Sequence, residues 1–126
     1  MPKNSKFTTR IDDISYTFVT PDNYVIANDS GTFSQAVTIK EGTPVTHRFT
    51  VDTSNKQRFI LPNENVDISS IVVNVQESVN DTTTTEFTKA TNIEQIFSTT
   101  PIYFIEEATD RQYEIVFGNG VLGKAV

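Results

Sequence analysis

Cysteine and tryptophan are both absent from this chain of 126 residues, and its one methionine is Met1. The first absence excludes a disulfide framework, a thiolate zinc site and a cysteine nucleophile. The second leaves a hydrophobic core to be built from phenylalanine, valine and isoleucine. Histidine occurs once, at His47. No apolar run is long enough to cross a bilayer as a helix, and no signal-peptide core lies near Met1. Basic residues are scattered and outnumbered, 10 against 16 acidic, giving a formal net charge of −6 and a pI near 4.6. Such a surface mostly repels a phosphate backbone, so nucleic acid is not expected as a partner. Without a spanning segment, neither is a membrane.

What remains is the composition of an ordinary folded domain, 37% hydrophobic and 21% charged. A single β-rich domain over residues 1–126 is the natural expectation, since a chain of this length buries roughly two-thirds of its unfolded surface.

Alternation of apolar and polar residues dominates the chain. Ile14, Tyr16 and Phe18 share one face of a strand, and Pro21-Asp22-Asn23 then makes a turn. Tyr24-Val25-Ile26 reads as a short strand closed by Asn28-Asp29-Ser30-Gly31. Residues 33–40 follow, with Phe33, Gln35, Val37 and Ile39 on a common face, and residues 45–51 continue extended. Residues 58–61 form a strand stopped by Pro62. The β-branched run Ile71-Val72-Val73-Asn74-Val75 is the natural central strand.

Residues 80–85 form a polar loop tip, and residues 86–89 return as a strand. Ile93, Ile96 and Phe97 lie at helical spacing after the capping residue Thr91, which predicts one short helix over residues 91–97. Residues 102–105 and 113–117 resume strand character, joined as a hairpin across Ala108-Thr109-Asp110. This many short strands predicts an all-β fold, mainly an antiparallel sandwich or barrel-like arrangement with one short helix, with α+β as the alternative. The expected core is Phe18, Phe33, Val37, Ile39, Phe59, Val73, Phe104, Ile115 and Phe117.

The segment Gly118-Asn119-Gly120-Val121-Leu122-Gly123-Lys124 satisfies the glycine spacing of a dinucleotide fingerprint and most of a phosphate-binding loop. Both need a helix to begin there, because its N-terminal amides hold the phosphates. Only Ala125 and Val126 follow, and Ala125 stands where a magnesium-binding hydroxyl belongs. A structural turn explains the same residues: Asn119-Gly120 accepts positive φ, Gly118 eases the strand exit and Gly123 marks a second bend.

Other polar residues also read structurally. His47 sits in a strand between Thr46 and Arg48 and reads as solvent-facing. Asp12-Asp13 and Glu106-Glu107 are neighbours that point to opposite faces of a strand, which suits solvated charge better than a shared acid–base site. Asn28-Asp29-Ser30 and Asn80-Asp81-Thr82 match a glycosylation acceptor pattern but read as polar loop tips. Of Tyr103 and Phe104, alternation allows only one to face a partner. No metal or cofactor ligand set and no catalytic residue is assigned.

From Tyr103-Phe104-Ile105-Glu106-Glu107 through Tyr113-Glu114-Ile115-Val116-Phe117-Gly118-Asn119-Gly120-Val121-Leu122-Gly123-Lys124, the chain resembles the baseplate J-like family, which includes wedge subunits of T4-like contractile-tailed phages. That family carries an aromatic strand, a short acidic turn, Glu-Ile, Phe-Gly-Asp-Gly, a hydrophobic pair and Gly-Lys. Val37-Thr38-Ile39-Lys40-Glu41-Gly42-Thr43 is similar to its strand ending in Glu-Gly-Thr. Phe59-Ile60-Leu61-Pro62-Asn63, Val66-Asp67 and the run from Ile71 to Val75 look like its central segment. The resemblance spans residues 33–124, with Asn119 where the family more often has aspartate.

What the resemblance implies is a non-enzymatic structural protein of the virion tail baseplate, assembled in the host cytoplasm. Its partners would be other wedge subunits and further copies of the full-length protein, with no small-molecule substrate, and it would transmit the contraction switch. The family pattern continues past Lys124, so an excised piece of a longer baseplate protein is the expectation. The competing expectation is a carbohydrate-binding β-sandwich module of a tail spike or adhesin, against which the lack of tryptophan counts.

Overall fold

The computed structural model describes residues 1–54, 58–92 and 96–126. Among these described residues, ten strands build three sheets, one of them curled as a half-barrel, and every paired neighbour but one is antiparallel. The contacts divide the chain into two compact units, Met1–Thr46 and His47–Val126.

The first unit opens with a hairpin of β1 (Lys6–Ile11) and β2 (Ile14–Val19), in register from Lys6↔Val19 to Ile11↔Ile14. Asp12 and Asp13 form its two-residue loop, with φ of 47° and 65°. Positive φ at both central residues matches the right-handed twist of the strands, and aspartate tolerates that conformation better than most residues. β2 also pairs with β5 (Lys40–Glu41), while β3 (Asn28–Asp29) and β4 (Thr32–Phe33) make a separate ribbon.

Thr20 is the fully buried side chain of this unit. Its hydroxyl donates to the Pro2 carbonyl at 2.9 Å and accepts the Ser5 amide at 3.0 Å. Its backbone N–H donates to the Ser5 carbonyl at 3.1 Å, and its carbonyl accepts the Asn4 amide at 2.8 Å. Tyr24 and Met1 exchange a further reciprocal pair, so the N-terminal residues are stitched to the end of β2. Thr20→Val keeps the shape and removes both side-chain bonds, leaving the Pro2 carbonyl to accept from the Ser5 hydroxyl at 2.7 Å and the Ser5 amide to its 3.3 Å bond with Pro2. A loss of about 1–3 kcal/mol is expected in a denaturation titration, and a change within 0.5 kcal/mol would show that water replaces the hydroxyl.

The second unit is a five-stranded sheet in the order β6 (Phe59–Leu61), β10 (Tyr113–Phe117), β9 (Ile102–Glu107), β8 (Thr85–Lys89), β7 (Val73–Val75). β8 and β9 are the parallel pair, separated in sequence by about the dozen residues that a parallel connection requires. Tyr113, Ile115 and Phe117 on β10 lie opposite Glu107, Ile105 and Tyr103 on β9. Phe59, Leu61, Val73, Phe87, Tyr103 and Ile115 form the buried cluster, with Phe117 packed against it. Four rings run edge to face, Phe49 to Phe59 to Phe117 to Phe87, with centroids 5.7, 5.2 and 5.5 Å apart. Aromatic pairs favour this arrangement because the positive edge of one ring meets the negative face of the next.

The all-β expectation holds. Several finer expectations do not. The run from Ile71 to Val75 yields an edge strand, and the centre belongs to β9, where Ile102 and Tyr103 are successive and both buried. Burial on both faces is what marks a central strand. Tyr24-Val25-Ile26 forms no strand, and Val25 is 87% exposed. Residues 33–40 contribute only their ends, to β4 and β5, and Phe33 and Ile39 lie exposed instead of in a core. Leu61, Phe87, Ile102 and Tyr103 join the core in addition to those expected. The centre of the short helix expected over residues 91–97, Ile93, Glu94 and Gln95, lies outside the described residues. Among the described residues, the helical element is one 3-10 turn, Thr109–Arg111, inside the β9–β10 connection.

Candidate functional site

The glycine-bearing segment after β10 is where the sequence places its most specific pattern, and the structure closes it on itself. Asn119 N–H donates to the Leu122 carbonyl at 3.4 Å, and Gly120 N–H to the Gly123 carbonyl at 3.0 Å. The Asn119 side-chain oxygen accepts two amides at once, from Val121 at 3.0 Å and Leu122 at 2.9 Å. Gly123 N–H then donates to the Phe97 carbonyl at 3.2 Å, and Lys124 N–H to the Thr100 carbonyl at 2.8 Å. Every amide from Asn119 to Lys124 is therefore spent inside the protein. A phosphate cradle works by pointing such amides at the ligand, so this loop has none to offer.

Residues 124–126 continue without helical structure, and the Lys124 ammonium forms an ion pair with Glu77. Gly120 and Gly123 have φ of +80° and +81°, but Asn119 is not among the residues of positive φ. It does not make the hairpin turn that Asn-Gly suggests; it holds the loop through its side chain. Gly118 and Gly123 lie with their backbones in contact, too close for a Cβ at residue 118. A Cβ at Gly123 would stand 2.7 Å from Ile102 Cγ1. The loop thus caps the outer face of β9 and accounts for the burial of Ile102 there.

The remaining candidates do not converge. His47 is exposed, with Nε2 2.9 Å from the side-chain oxygen of Asn63. Asp12 and Asp13 are the hairpin turn, and Arg10 pairs with Asp13 at 3.1 Å in full solvent. Glu106 lies opposite Glu114 and Glu107 opposite Tyr113, so the two neighbouring carboxylates serve different faces. Arg58 grips Glu114 through Nε and Nη2 at 3.1 and 2.6 Å. Hydrogen bonding first, and then the carboxylate charge, raises the Arg58 pKa further above its ordinary value. Asn28, in β3, accepts the Gly31 amide at 2.8 Å and so braces the β3–β4 turn, while Asn80 lies in a turn beside Asp81, which accepts both the amide and the hydroxyl of Thr83. Those two bonds to Thr83 also hold the Asp81 carboxyl below its usual range.

Of the two adjacent aromatics, Tyr103 is buried and Phe104 half-buried. Phe104 lines a shallow depression of about 370 Å³ with Glu106, Val116, Phe117, Asn119 and Leu122. The Tyr103 hydroxyl donates to the Ile71 carbonyl at 3.3 Å. Burial, and next the charge of Glu86, push its pKa up. A raised folded pKa means that the stabilisation is complete below the unfolded phenol value of about 10 and is lost as pH climbs through the folded value. Unfolding free energy is therefore expected to decline above pH ~10, and Tyr103→Phe should flatten that alkaline limb. An unchanged limb in the variant would assign the decline to other groups.

The sequence signalled the glycines but not what fastens them. The Phe97 and Thr100 carbonyls and the Glu77 carboxylate are contributed from distant segments and carry no motif. Comparison of the chain with protein-family models, with curated proteins and with solved structures finds no match.

Proposed function

We propose that this chain is a structural β domain of a contractile-tail baseplate wedge, acting by contact with other wedge subunits and with further copies of its own parent protein. The observation that carries the reading is the order of segments shared with the baseplate J-like family, from Phe33 to Lys124, ending in Phe117-Gly118-Asn119-Gly120 and Gly123-Lys124. The rival nucleotide reading of those glycines loses its physical basis once each amide of the loop is engaged within the protein.

In this role the domain performs no chemistry. It transmits force, and the sheath-contraction signal passes through its interfaces with neighbours. Closed rings of such subunits need either two-fold or head-to-tail contacts, and the exposed loops and strand edges provide them. Locating the protein in intact particles tests the proposal. Antibody-labelled tails, purified and stripped stepwise from sheath to baseplate, should retain the chain with the baseplate wedges. Complete, contractile tails that lack it would overturn the reading.

A further inference from the structure

Asn119-Gly120 is the one Asn-Gly dipeptide in the chain. In such a pair the side chain and the following amide react with each other more readily than elsewhere, because glycine has no Cβ to block the approach. Both residues are solvent-exposed, so water reaches them. Yet the structure engages the nucleophile and fixes the orientation of the electrophile. The Gly120 N–H, the nucleophile, donates to the Gly123 carbonyl at 3.0 Å. The Asn119 carboxamide, the electrophile, is held through its oxygen by the amides of Val121 and Leu122 at 3.0 and 2.9 Å.

The geometry points to Asn119 as a latent deamidation site, unreactive while the loop is closed and converted irreversibly once it opens. The Gly120 nitrogen gives up its proton and bonds to Asn119 Cγ. The side-chain nitrogen takes up a proton and leaves as ammonia, closing a five-membered imide. Water then opens the ring at one carbonyl or the other. Asparagine and water become aspartate, or its isoaspartyl isomer, and ammonia, with no change in oxidation state.

The two products differ in what they do to the loop. An aspartyl side chain keeps an oxygen for the Val121 and Leu122 amides. The isoaspartyl form routes the main chain through the side-chain methylene, and the Gly120 N–H can no longer meet the Gly123 carbonyl in the same register. Closure is fastened to the crossover after β8, through Gly123 to Phe97 and Lys124 to Thr100. A displacement of that crossover that carries Gly123 away from Gly120 therefore frees the reacting groups, and the loop keeps a covalent record of having opened.

The test uses the intact chain at neutral pH beside a synthetic peptide of residues 115–124, with position 119 followed by peptide mapping that separates the asparaginyl, aspartyl and isoaspartyl forms. Conversion in the folded chain is expected to be slower than in the peptide by about tenfold or more, by the factor that amide exchange at Gly120 is slowed. Gly123→Ala places a Cβ against Ile102 and should bring conversion toward the peptide rate. If that variant does not fold, the comparison of conversion with Gly120 exchange in the unaltered protein decides alone. Equal rates in chain and peptide, or slow conversion beside an unprotected Gly120 amide, would overturn the assignment.

Discussion

Phe87→Ala is expected to destabilise the second unit by about 3–5 kcal/mol, the range for truncating a fully buried phenylalanine. Phe87 is 2% exposed, lies in β8 opposite Val73 of β7, and meets Phe117 edge to face with centroids 5.5 Å apart. Its loss leaves a cavity in the buried cluster beside Phe117, and the pairing of β8 on both edges holds its backbone against collapse. Domains of this size are stable by roughly 5–15 kcal/mol in all, so the variant should sit near the threshold of folding. With no tryptophan present, tyrosine fluorescence and far-ultraviolet circular dichroism are the probes for a urea titration. Phe97→Ala is the control, because Phe97 is 71% exposed and its removal should register within about 0.5 kcal/mol. A loss below about 1 kcal/mol at Phe87 would mean that the core is less well packed than described.

Gly118→Ala has the second largest expected effect, roughly 3 kcal/mol, for a different reason. A Cβ there meets the carbonyl carbon, the oxygen and the Cα of Gly123. These are backbone atoms with no rotamer to change, so the whole loop has to swing away from β9. Its bonds to Phe97 and Thr100 go with it, and Ile102 loses its cover. Gly120→Ala separates space from conformation. Nothing lies within 4 Å of a Cβ at Gly120, whereas its φ of +80° disfavours any side chain, so about 1–2 kcal/mol is expected. Amide exchange at Gly123 and Lys124 should quicken strongly in Gly118→Ala and little in Gly120→Ala. Equal effects would mean that backbone strain, and not the close approach, sets the cost.

The β9–β10 hairpin was legible because period-two alternation and one buried face coincide there, with Tyr113, Ile115 and Phe117 on the core side. The first strand was not. Lys6, Thr8, Thr9 and Arg10 carry no apolar pattern, and β1 exists because β2 offers a partner across a two-residue loop. Asp12-Asp13 reads in sequence as paired charge, yet positive φ at both makes it a turn. The central position of β9 was hidden for a related reason. Ile102 is covered by Gly123, some twenty residues further on, and no local pattern reports a cover supplied from that distance. At the loop itself the bend was legible and the mechanism was not. Asn-Gly suggests two residues of positive φ, while here one residue supplies the conformation and the other a double acceptor.

The strand order of the second unit also sets a timetable for folding. β9 and β10 are neighbours in sequence and can zip from their short connection. β6 has to find β10 across more than fifty residues, as in Phe59↔Ile115, and β8 has to wait for a crossover to lie down. Contacts of such sequence separation are entropically costly before they are rewarding. The β9–β10 hairpin should therefore act as the template on which earlier-synthesised segments assemble, so a growing chain remains without its organising strands until that hairpin has left the ribosome.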